Sequence, residues 1–419
     1  MSGMELASLA ARLTPFRYQG DKPAALWSFT GGFPDPAHFP VRELADCLAE
    51  AAGEDPELLQ YGSSADESLR YGERTLRQAL LARHRDDLPP GASLADVMLT
   101  QGAVGAIELA FRAFVDPGDA VVVEAPTWGV ALTLARQLRA ELHAVPAGPA
   151  GLDLDALEAA FDALRAKGRR VKIVYTIPTF QTPTGTVMPA ANRRRLAALA
   201  ARHDTIVVED GTYAALRYDG PAQPSVQSFD TAGRVLRVGS FSKTVAPALR
   251  TGWVTGDRAL LAVLASARSD LGVSQWAARA LARFVESGRY DAHLERMLAA
   301  YRRKRDALDA ALRRECAGLA EWSVPEGGYF FWLRLREHVD AGRAKRLARE
   351  RGIAARPGEQ FFGTPEDGSQ LLRIAFSQVA EDRIPGGIAA LGEALRSSVV
   401  DSAAPGRGTD TARGPDGGR

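Results

Sequence analysis

The chain contains few of the residues that bind metals or form disulfides. It has 2 cysteines and 6 histidines among 419 residues. Two cysteines, Cys47 and Cys316, cannot form a disulfide framework, which is typical of a reducing compartment, so we expect a cytoplasmic protein. The scattered histidines lack metal-ligand spacing, so no metal site is expected.

Long apolar runs and an excess of either charge are also missing. No stretch approaches the roughly 18 apolar residues that a membrane-spanning helix needs. The N-terminus lacks a continuous apolar segment, so no secretory signal is expected. The formal net charge is +1, which does not indicate a nucleic-acid-binding protein. A composition of 46% hydrophobic and 25% charged residues is ordinary for a globular chain.

Lysine is scarce, although basic residues are not. Lysine and arginine total 52, but the lysines are only Lys22, Lys167, Lys172, Lys243, Lys304 and Lys345. Five of them lie beside charges or turns, whereas Lys243 lies in the segment SFSKTVAP. An amine can lose its proton and act as a nucleophile, which arginine cannot do, so Lys243 is a candidate catalytic residue.

Between residues 97 and 256, short apolar runs alternate with helical patterns. Strands are predicted at 97–100, 120–124, 171–176, 205–210, 234–241 and 252–256. Helices are predicted between them at 105–115, 129–140, 154–168 and 189–203. Continuously apolar strands separated by helices indicate an α/β fold with a mostly parallel central sheet covered by helices.

The pattern changes towards the C-terminus and suggests a second unit. A long helix near 291–315 and short strands near 327–335 and 371–377 indicate a smaller α+β domain. We expect residues 1–60 to join this small domain, residues 61–290 to form the large domain and residues 291–400 the C-terminal small domain. The Gly/Pro-rich residues 401–419 are expected to form a disordered tail.

The segment around Lys243 combines two hydroxyls and a guanidinium with an amine. Ser240, Ser242 and Arg250 surround Lys243 in sequence, directly after a predicted strand. Ligands of open α/β sheets bind at the carboxyl ends of strands. The hydroxyls and the guanidinium suit a phosphate group, and nearby cations lower the pKa of an amine.

Four other strand ends carry residues that suit the same crevice, although each pattern is weak alone. Asp210 ends a strand and Tyr213 follows it; by themselves they fit a turn aspartate and a core tyrosine. The small residues Gly102, Ala103 and Val104 enter a helix, as in anion sites. Trp128 suits stacking on an aromatic ligand or capping of the core. A turn at 181–185 presents hydroxyls.

Together these segments resemble the fold-type-I pyridoxal-phosphate enzymes of the class I/II aminotransferase family, and among them the aminoadipate/kynurenine aminotransferases and the effector domains of MocR-type regulators. The resemblance runs from FTGGFPDP at 29–36 to LRIAFSQV at 372–379 and includes SFSKTVAPALRTGW, VPEGGYFFWL and RPGEQFF.

The resemblance implies roles for individual residues. Lys243 would form the Schiff base with pyridoxal 5'-phosphate, Asp210 would pair with the ring nitrogen, Tyr213 would donate to the ring 3-oxygen, and Trp128 would stack on the ring. The phosphate would lie among Gly102, Ala103, Val104, Ser240, Ser242 and Arg250. Arg373 and the Gly32 backbone would bind the substrate carboxylate. Tyr61 would reach the cofactor phosphate of a partner subunit in a homodimer.

Three departures from the family pattern lie in or near this site. Thr182 replaces the usual asparagine that donates to the ring 3-oxygen, and Gly211-Thr212 replaces the usual Asp-Pro. The 62–71 segment is longer than usual, which makes Tyr71 a competitor of Tyr61.

The favoured function is therefore an aminotransferase that moves an amino group between an amino acid and a 2-oxo acid. The alternative, prompted by Thr182, is another reaction of the same cofactor: β/γ-elimination or replacement, decarboxylation, or C–C bond formation. A DNA-binding regulator is disfavoured because only about 28 residues precede the FTGG segment, too few for a winged module. A nicotinamide enzyme is disfavoured because Gly102 and Gly105 lack the third glycine of the fingerprint.

Overall fold

A computed structural model of the protein describes residues 25–363 and 365–400. The predicted disordered tail lies outside the described residues. Within the described ranges, no helix has the length and apolar character needed to cross a bilayer.

The described residues form fourteen strands and twelve α-helices. The strands are β1 (Trp27–Ser28), β2 (Val97–Gln101), β3 (Ala120–Ala125), β4 (Glu141–Gly148), β5 (Gly151–Leu152), β6 (Val171–Thr176), β7 (Ile206–Asp210), β8 (Val235–Ser240), β9 (Thr251–Thr255), β10 (Ala320–Glu321), β11 (Phe330–Leu335), β12 (Ile353–Ala354), β13 (Arg356–Pro357) and β14 (Leu371–Ala375). The helices are α1 (Val41–Glu54), α2 (Ser68–Tyr71), α3 (Arg74–Arg83), α4 (Gly102–Phe114), α5 (Gly129–Gln137), α6 (Leu154–Ala166), α7 (Ala190–His203), α8 (Arg258–Ala267), α9 (Gln275–Glu286), α10 (Arg289–Glu315), α11 (Ala341–Glu350) and α12 (Ile384–Arg396).

The large sheet has eight strands in the order β2-β9-β8-β7-β6-β3-β4-β5. Strands β8, β7, β6, β3 and β4 are parallel, whereas β9 runs antiparallel to both of its neighbours. Strands β2, β3, β6, β7 and β8 therefore end at the same edge of the sheet, where ligands of such sheets bind.

The central strands are apolar because helices cover both faces of the sheet. Alternate residues of β3 face opposite sides: Val121 and Val123 pack with α4 and α5, while Val122 packs with α6 and α7. Asp153 begins α6 by accepting hydrogen bonds from the Asp155 and Ala156 amides, as its N-cap position predicts. The predicted α/β class with a mostly parallel sheet is confirmed.

A smaller antiparallel sheet, in the order β10-β11-β14-β13, lies with the C-terminal helices. The N-terminal segment joins this part of the chain through β1, which pairs in parallel with β12. Residues 41–54, however, form α1, which packs on α9 of the predicted large domain. This part of the N-terminal segment therefore lies with the large unit, and the domain boundaries stay a prediction.

Candidate active site

One cavity lies at the carboxyl edge of the large sheet and gathers most of the predicted site residues. Its lining includes Gly32, Ala103, Val104, Trp128, Thr182, Asp210, Tyr213, Ser240, Ser242, Lys243, Arg250 and Arg373. The residues come from five strand ends and from the small sheet, so the cavity lies between the two parts of the chain.

Lys243 follows β8 and turns its amine into this cavity. Its Nζ donates to the Gly32 carbonyl at 2.7 Å, and the Tyr329 hydroxyl donates to the Lys243 carbonyl at 2.8 Å. Burial lowers the pKa of Lys243 to about 8, and the Arg373 and Arg250 guanidiniums add to the lowering while Asp210 opposes it. The amine is therefore far closer to its neutral, nucleophilic form than an exposed lysine at neutral pH.

The N-terminus of α4 and the β8–β9 connection form a cradle of donors. Gly102 has a φ of +70°, and a Cβ there would meet Arg250 Nη2 at 2.8 Å. Glycine thus lets this guanidinium lie against the helix N-terminus, where amides and cation attract an anion. The Ser240 and Ser242 hydroxyls lie 2.9 Å apart beside it.

Asp210 ends β7 on the cavity floor and is held at both carboxylate oxygens. The Tyr175 hydroxyl donates to Oδ2 at 2.7 Å, and the Thr212 amide donates to Oδ1 at 3.0 Å. Tyr175 is fully buried, which raises its pKa well above the ordinary value, so it remains a donor. These two bonds fix the orientation of a buried carboxylate in the cavity that also contains the Lys243 amine.

Three residues shape the space between Asp210 and the cradle. Trp128 directly precedes α5 and lines the cavity. Tyr213 also lines the cavity, and its hydroxyl donates to the Gly32 carbonyl at 3.5 Å. Thr182 also lines it, and its buried Oγ1 has no hydrogen-bond partner. A buried hydroxyl without a partner is costly, which points to a ligand acceptor or donor at this position.

Arg373 projects from β14 into the opposite side of the cavity. Its Nη2 donates to the Thr30 carbonyl at 2.6 Å, its buried Nε has no partner, and its guanidinium lies over the Phe330 ring. Burial lowers the pKa of Arg373 to about 9, which leaves it charged near neutral pH. A fixed cation with an unused donor suits a ligand carboxylate.

Tyr61 is not brought into this cavity. It is 72% exposed and follows the short helical turn at Pro56–Leu59. Its competitor Tyr71 packs against the hydrophobic core beside the large sheet, with the Arg77 guanidinium over its ring at 5.1 Å.

The cavity also contains residues that the sequence reasoning missed. These are Phe33, Ile177, Pro247 and Phe330; Thr212, which the sequence placed in or near the site, completes the lining. Two of them had a signal in the sequence. Phe33 directly follows the predicted Gly32, and Ile177 lies at the carboxyl end of β6, where ligands of such sheets bind. Tyr329 lies in the VPEGGYFFWL segment, but no local pattern predicts the long-range hydrogen bonds of Tyr329 to the Lys243 carbonyl and of Tyr175 to Asp210.

The comparisons with known proteins agree with this geometry. Residues 34–391 match the family described as Aminotransferase class I and II. The aromatic-amino-acid aminotransferase 1 of Thermococcus litoralis is 36% identical over 377 residues, which cover 89% of this chain and 88% of that protein.

Two solved structures share both fold and sequence with the chain. The kynurenine aminotransferase of Pyrococcus horikoshii, solved with PMP, is 32% identical with a TM-score of 0.86, covering 94% of this chain and 97% of that one. The α-aminoadipate aminotransferase of Thermus thermophilus, solved with N-(5'-phosphopyridoxyl)-L-leucine, is 30% identical with a TM-score of 0.81 over 94% of this chain and 97% of its own. With the match spanning most of the sequence, the chain belongs to the aminotransferase class I and II family.

Proposed function

We propose that this protein is a pyridoxal-phosphate-dependent aminotransferase in which Lys243 is the catalytic residue. Membership of the family makes it a transferase that moves an amino group between an amino acid and a 2-oxo acid. The observation that carries the assignment of roles is one cavity lined by Lys243, Asp210 and Arg373, in which both charged groups act on the Lys243 amine.

The cavity fits the cofactor at each of its polar groups. The cradle of Gly102, Ser240, Ser242 and Arg250 would hold the phosphate, and Ala103 and Val104 add the first turn of α4. Asp210 would pair with the ring nitrogen. The unpartnered Thr182 hydroxyl and Tyr213 would face the 3-oxygen, and Trp128 would stack on the ring.

Bound there, the pyridinium ring supplies an electron sink for negative charge at the substrate Cα. Asp210, which is buried and fixed by Tyr175 and Thr212, would keep the ring nitrogen protonated. Lys243 Nζ would take the proton from the substrate Cα as general base and deliver it to the cofactor C4′ as general acid, which its lowered pKa favours.

Substrate binding rests on the opposite wall. Arg373 would bind the α-carboxylate through Nε and the free side of its guanidinium, and the Gly32 backbone lies beside it. The Phe330 ring beneath the guanidinium keeps water from one face of this ion pair.

A half-reaction experiment tests the function. Cofactor-loaded protein is freed of excess cofactor, mixed with single amino acids, and the products are identified by mass spectrometry. The proposal predicts one 2-oxo acid per site without an acceptor and turnover only when a second 2-oxo acid is added. Continuous release of ammonia or carbon dioxide without an acceptor would instead establish the alternative reactions that Thr182 prompted.

We also propose that the protein works as a cytoplasmic homodimer with Tyr61 reaching the partner's site. The exposed apolar side chains of Leu59, Tyr61 and Leu271 support a subunit boundary at these residues. The 61–72 segment packs on residues 268–272, where the Arg268 guanidinium donates to the Arg70 carbonyl. The Gly272 carbonyl accepts a hydrogen bond from the side chain of Gln101, the residue directly before the phosphate cradle.

A further inference from the structure

A second buried lysine lies behind the substrate side of the cavity. Lys304 lies in the middle of α10, and its side chain is 5% exposed. In a chain that uses arginine for nearly all its cations, a fully enclosed lysine requires a local explanation, because burying an ammonium is costly unless it is paired.

The Lys304 ammonium joins two segments that are far apart in sequence. Its Nζ donates to Asp35 Oδ2 at 2.6 Å and to the Ser377 carbonyl at 2.8 Å. The Asp35 amide donates to the Tyr301 hydroxyl, one turn earlier on α10, at 2.7 Å. The 31–35 loop is thereby attached to α10 through both the backbone and the side chain of one residue.

Ser377 extends this attachment along the loop. Its hydroxyl donates to the Phe33 carbonyl at 2.6 Å and lies 3.4 Å from the Gly31 carbonyl. The loop between these points carries Gly32 and Phe33, which both line the cavity, and the Gly32 carbonyl receives the hydrogen bond from Lys243 Nζ. The loop has little freedom at this position, because a Cβ on Gly32 would lie 2.6 Å from Phe330 and 2.9 Å from the Tyr213 hydroxyl.

We propose that Lys304, paired with Asp35, is a positioning residue that holds the Gly32–Phe33 loop in the geometry needed to receive the substrate carboxylate and to orient the Lys243 amine. This inference rests on the proposed function for the identity of the ligand. Lys304 does not line the cavity, so it acts through the loop and not by contact with substrate or cofactor. An ammonium suits the position because its compact donors reach a carboxylate and a carbonyl within one enclosed space.

The chain offers a matched control in Lys345. Its Nζ also donates to a carboxylate, Glu359 Oε1 at 2.7 Å, and to a backbone carbonyl, that of Ser369 at 2.5 Å. Its side chain is 10% exposed, and it does not line the active-site cavity. Loss of Lys345 therefore removes the same kinds of bonds from the same part of the fold without releasing the 31–35 loop.

The experiment compares cofactor-loaded wild type with Lys304→Met, Asp35→Asn and Lys345→Met. Hydrogen exchange of the 29–38 segment, the cofactor dissociation constant, and KM and kcat for one amino acid donor are measured. We expect faster exchange in the 29–38 segment and a KM raised about tenfold or more in both Lys304→Met and Asp35→Asn, with cofactor affinity changed less than about twofold. Lys345→Met is expected to leave exchange of this segment and KM unchanged.

Asp35→Asn keeps the shape of the side chain, so it remains informative where Lys304→Met folds poorly. Unchanged exchange and unchanged KM in Asp35→Asn would overturn the proposal, as would an equal rise of KM in Lys345→Met. The proposed function fails separately, if the wild type takes up no cofactor; the exchange comparison on the unloaded chain then still decides whether Lys304 holds the loop.

Discussion

The reactivity of Lys243 is set by its surroundings more than by its identity. Burial disfavours its ammonium form, two guanidiniums repel it, and Asp210 only partly compensates. The Gly32 carbonyl and Tyr329 fix the two ends of the residue, so the amine is held in a single direction.

The protonation of Lys243 can be measured on the protein without cofactor. The pKa of about 8 predicts that acylation of Lys243, followed by peptide mass spectrometry, accelerates as pH rises through about 8. Arg373→Met removes one cation that repels the Lys243 ammonium, so the midpoint of Lys243 acylation in this variant is expected at a higher pH. A wild-type midpoint near that of an exposed lysine would contradict this prediction.

Arg373 is expected to tolerate even a conservative change poorly. Arg373→Lys keeps a positive charge but loses the planar pair of donors that binds a carboxylate. Hydrogen bonds to charged groups contribute about 1.5–3 kcal/mol, so KM for the amino acid should rise about tenfold to hundredfold. Arg334→Lys, on the exposed side of β11, serves as the control and should leave KM unchanged.

Single residues could be predicted where a local pattern or a motif marked them. The scarcity of lysine and the flanking serines marked Lys243, and the cavity brings Asp210, Tyr213 and Arg250 beside it. Lys304 gave no such signal, because its partner Asp35 is 269 residues away. The sequence predicted the strand that contains Tyr175, but no sequence pattern predicts the hydrogen bond from its hydroxyl to Asp210.

Helix α4 shows how a secondary-structure element builds part of the site. Its first residue, Gly102, adopts a positive φ, and the space that a Cβ would fill holds the Arg250 guanidinium. The helix N-terminus and this cation then face the same point, which suits a phosphate dianion.

Gly102→Ala tests this arrangement. A left-handed conformation costs a non-glycine residue roughly 1–2 kcal/mol, and displacement of Arg250 should raise the cofactor dissociation constant about tenfold or more. Gly118→Ala is the control, because Gly118 has a φ of +91° and no atom within 4 Å of the added Cβ. Gly118→Ala should lower the free energy of unfolding about as much as Gly102→Ala does and leave cofactor affinity unchanged. An equal loss of cofactor affinity in both variants would contradict the role of Gly102.

The elements that the sequence did not predict have physical explanations. Strand β4 was missed because Pro146 interrupts it and its side chains are mostly exposed or half-buried, unlike those of β3. The antiparallel direction of β9 could not be predicted, because an apolar run has the same composition in either direction. Helix α1 was assigned to the small domain for want of a strand–helix alternation, yet its apolar face packs on α9.

The complete active site is expected to require two copies of the chain. Tyr61 is exposed and lies outside the active-site cavity of its own chain, whereas Tyr71 packs in that chain with the Arg77 guanidinium over its ring. In the proposed homodimer, a second subunit that supplies Tyr61 would explain both observations and would place the long 62–71 segment at the subunit boundary.

Subunit mixing tests this expectation. Tyr61→Ala and Lys243→Ala should each lose most activity. A mixture of the two variants whose subunits have exchanged should regain part of the activity, because a mixed dimer contains one site with both residues intact. Light scattering should give twice the chain mass. A fully active monomer, or a mixture that regains nothing while mixed dimers form, would contradict a shared site.

The most direct test of the whole account is the attachment of the cofactor to Lys243. Wild type and Lys243→Ala, with Lys345→Ala as the control, are loaded with pyridoxal phosphate, and their absorbance is recorded. The proteins are then reduced with borohydride and analysed by peptide mass spectrometry. We expect a visible absorption band in the unreduced wild type and control that is lost in Lys243→Ala, and a reduced cofactor adduct on the peptide that contains Lys243. A colourless wild type, or an adduct confined to other lysines, would contradict it.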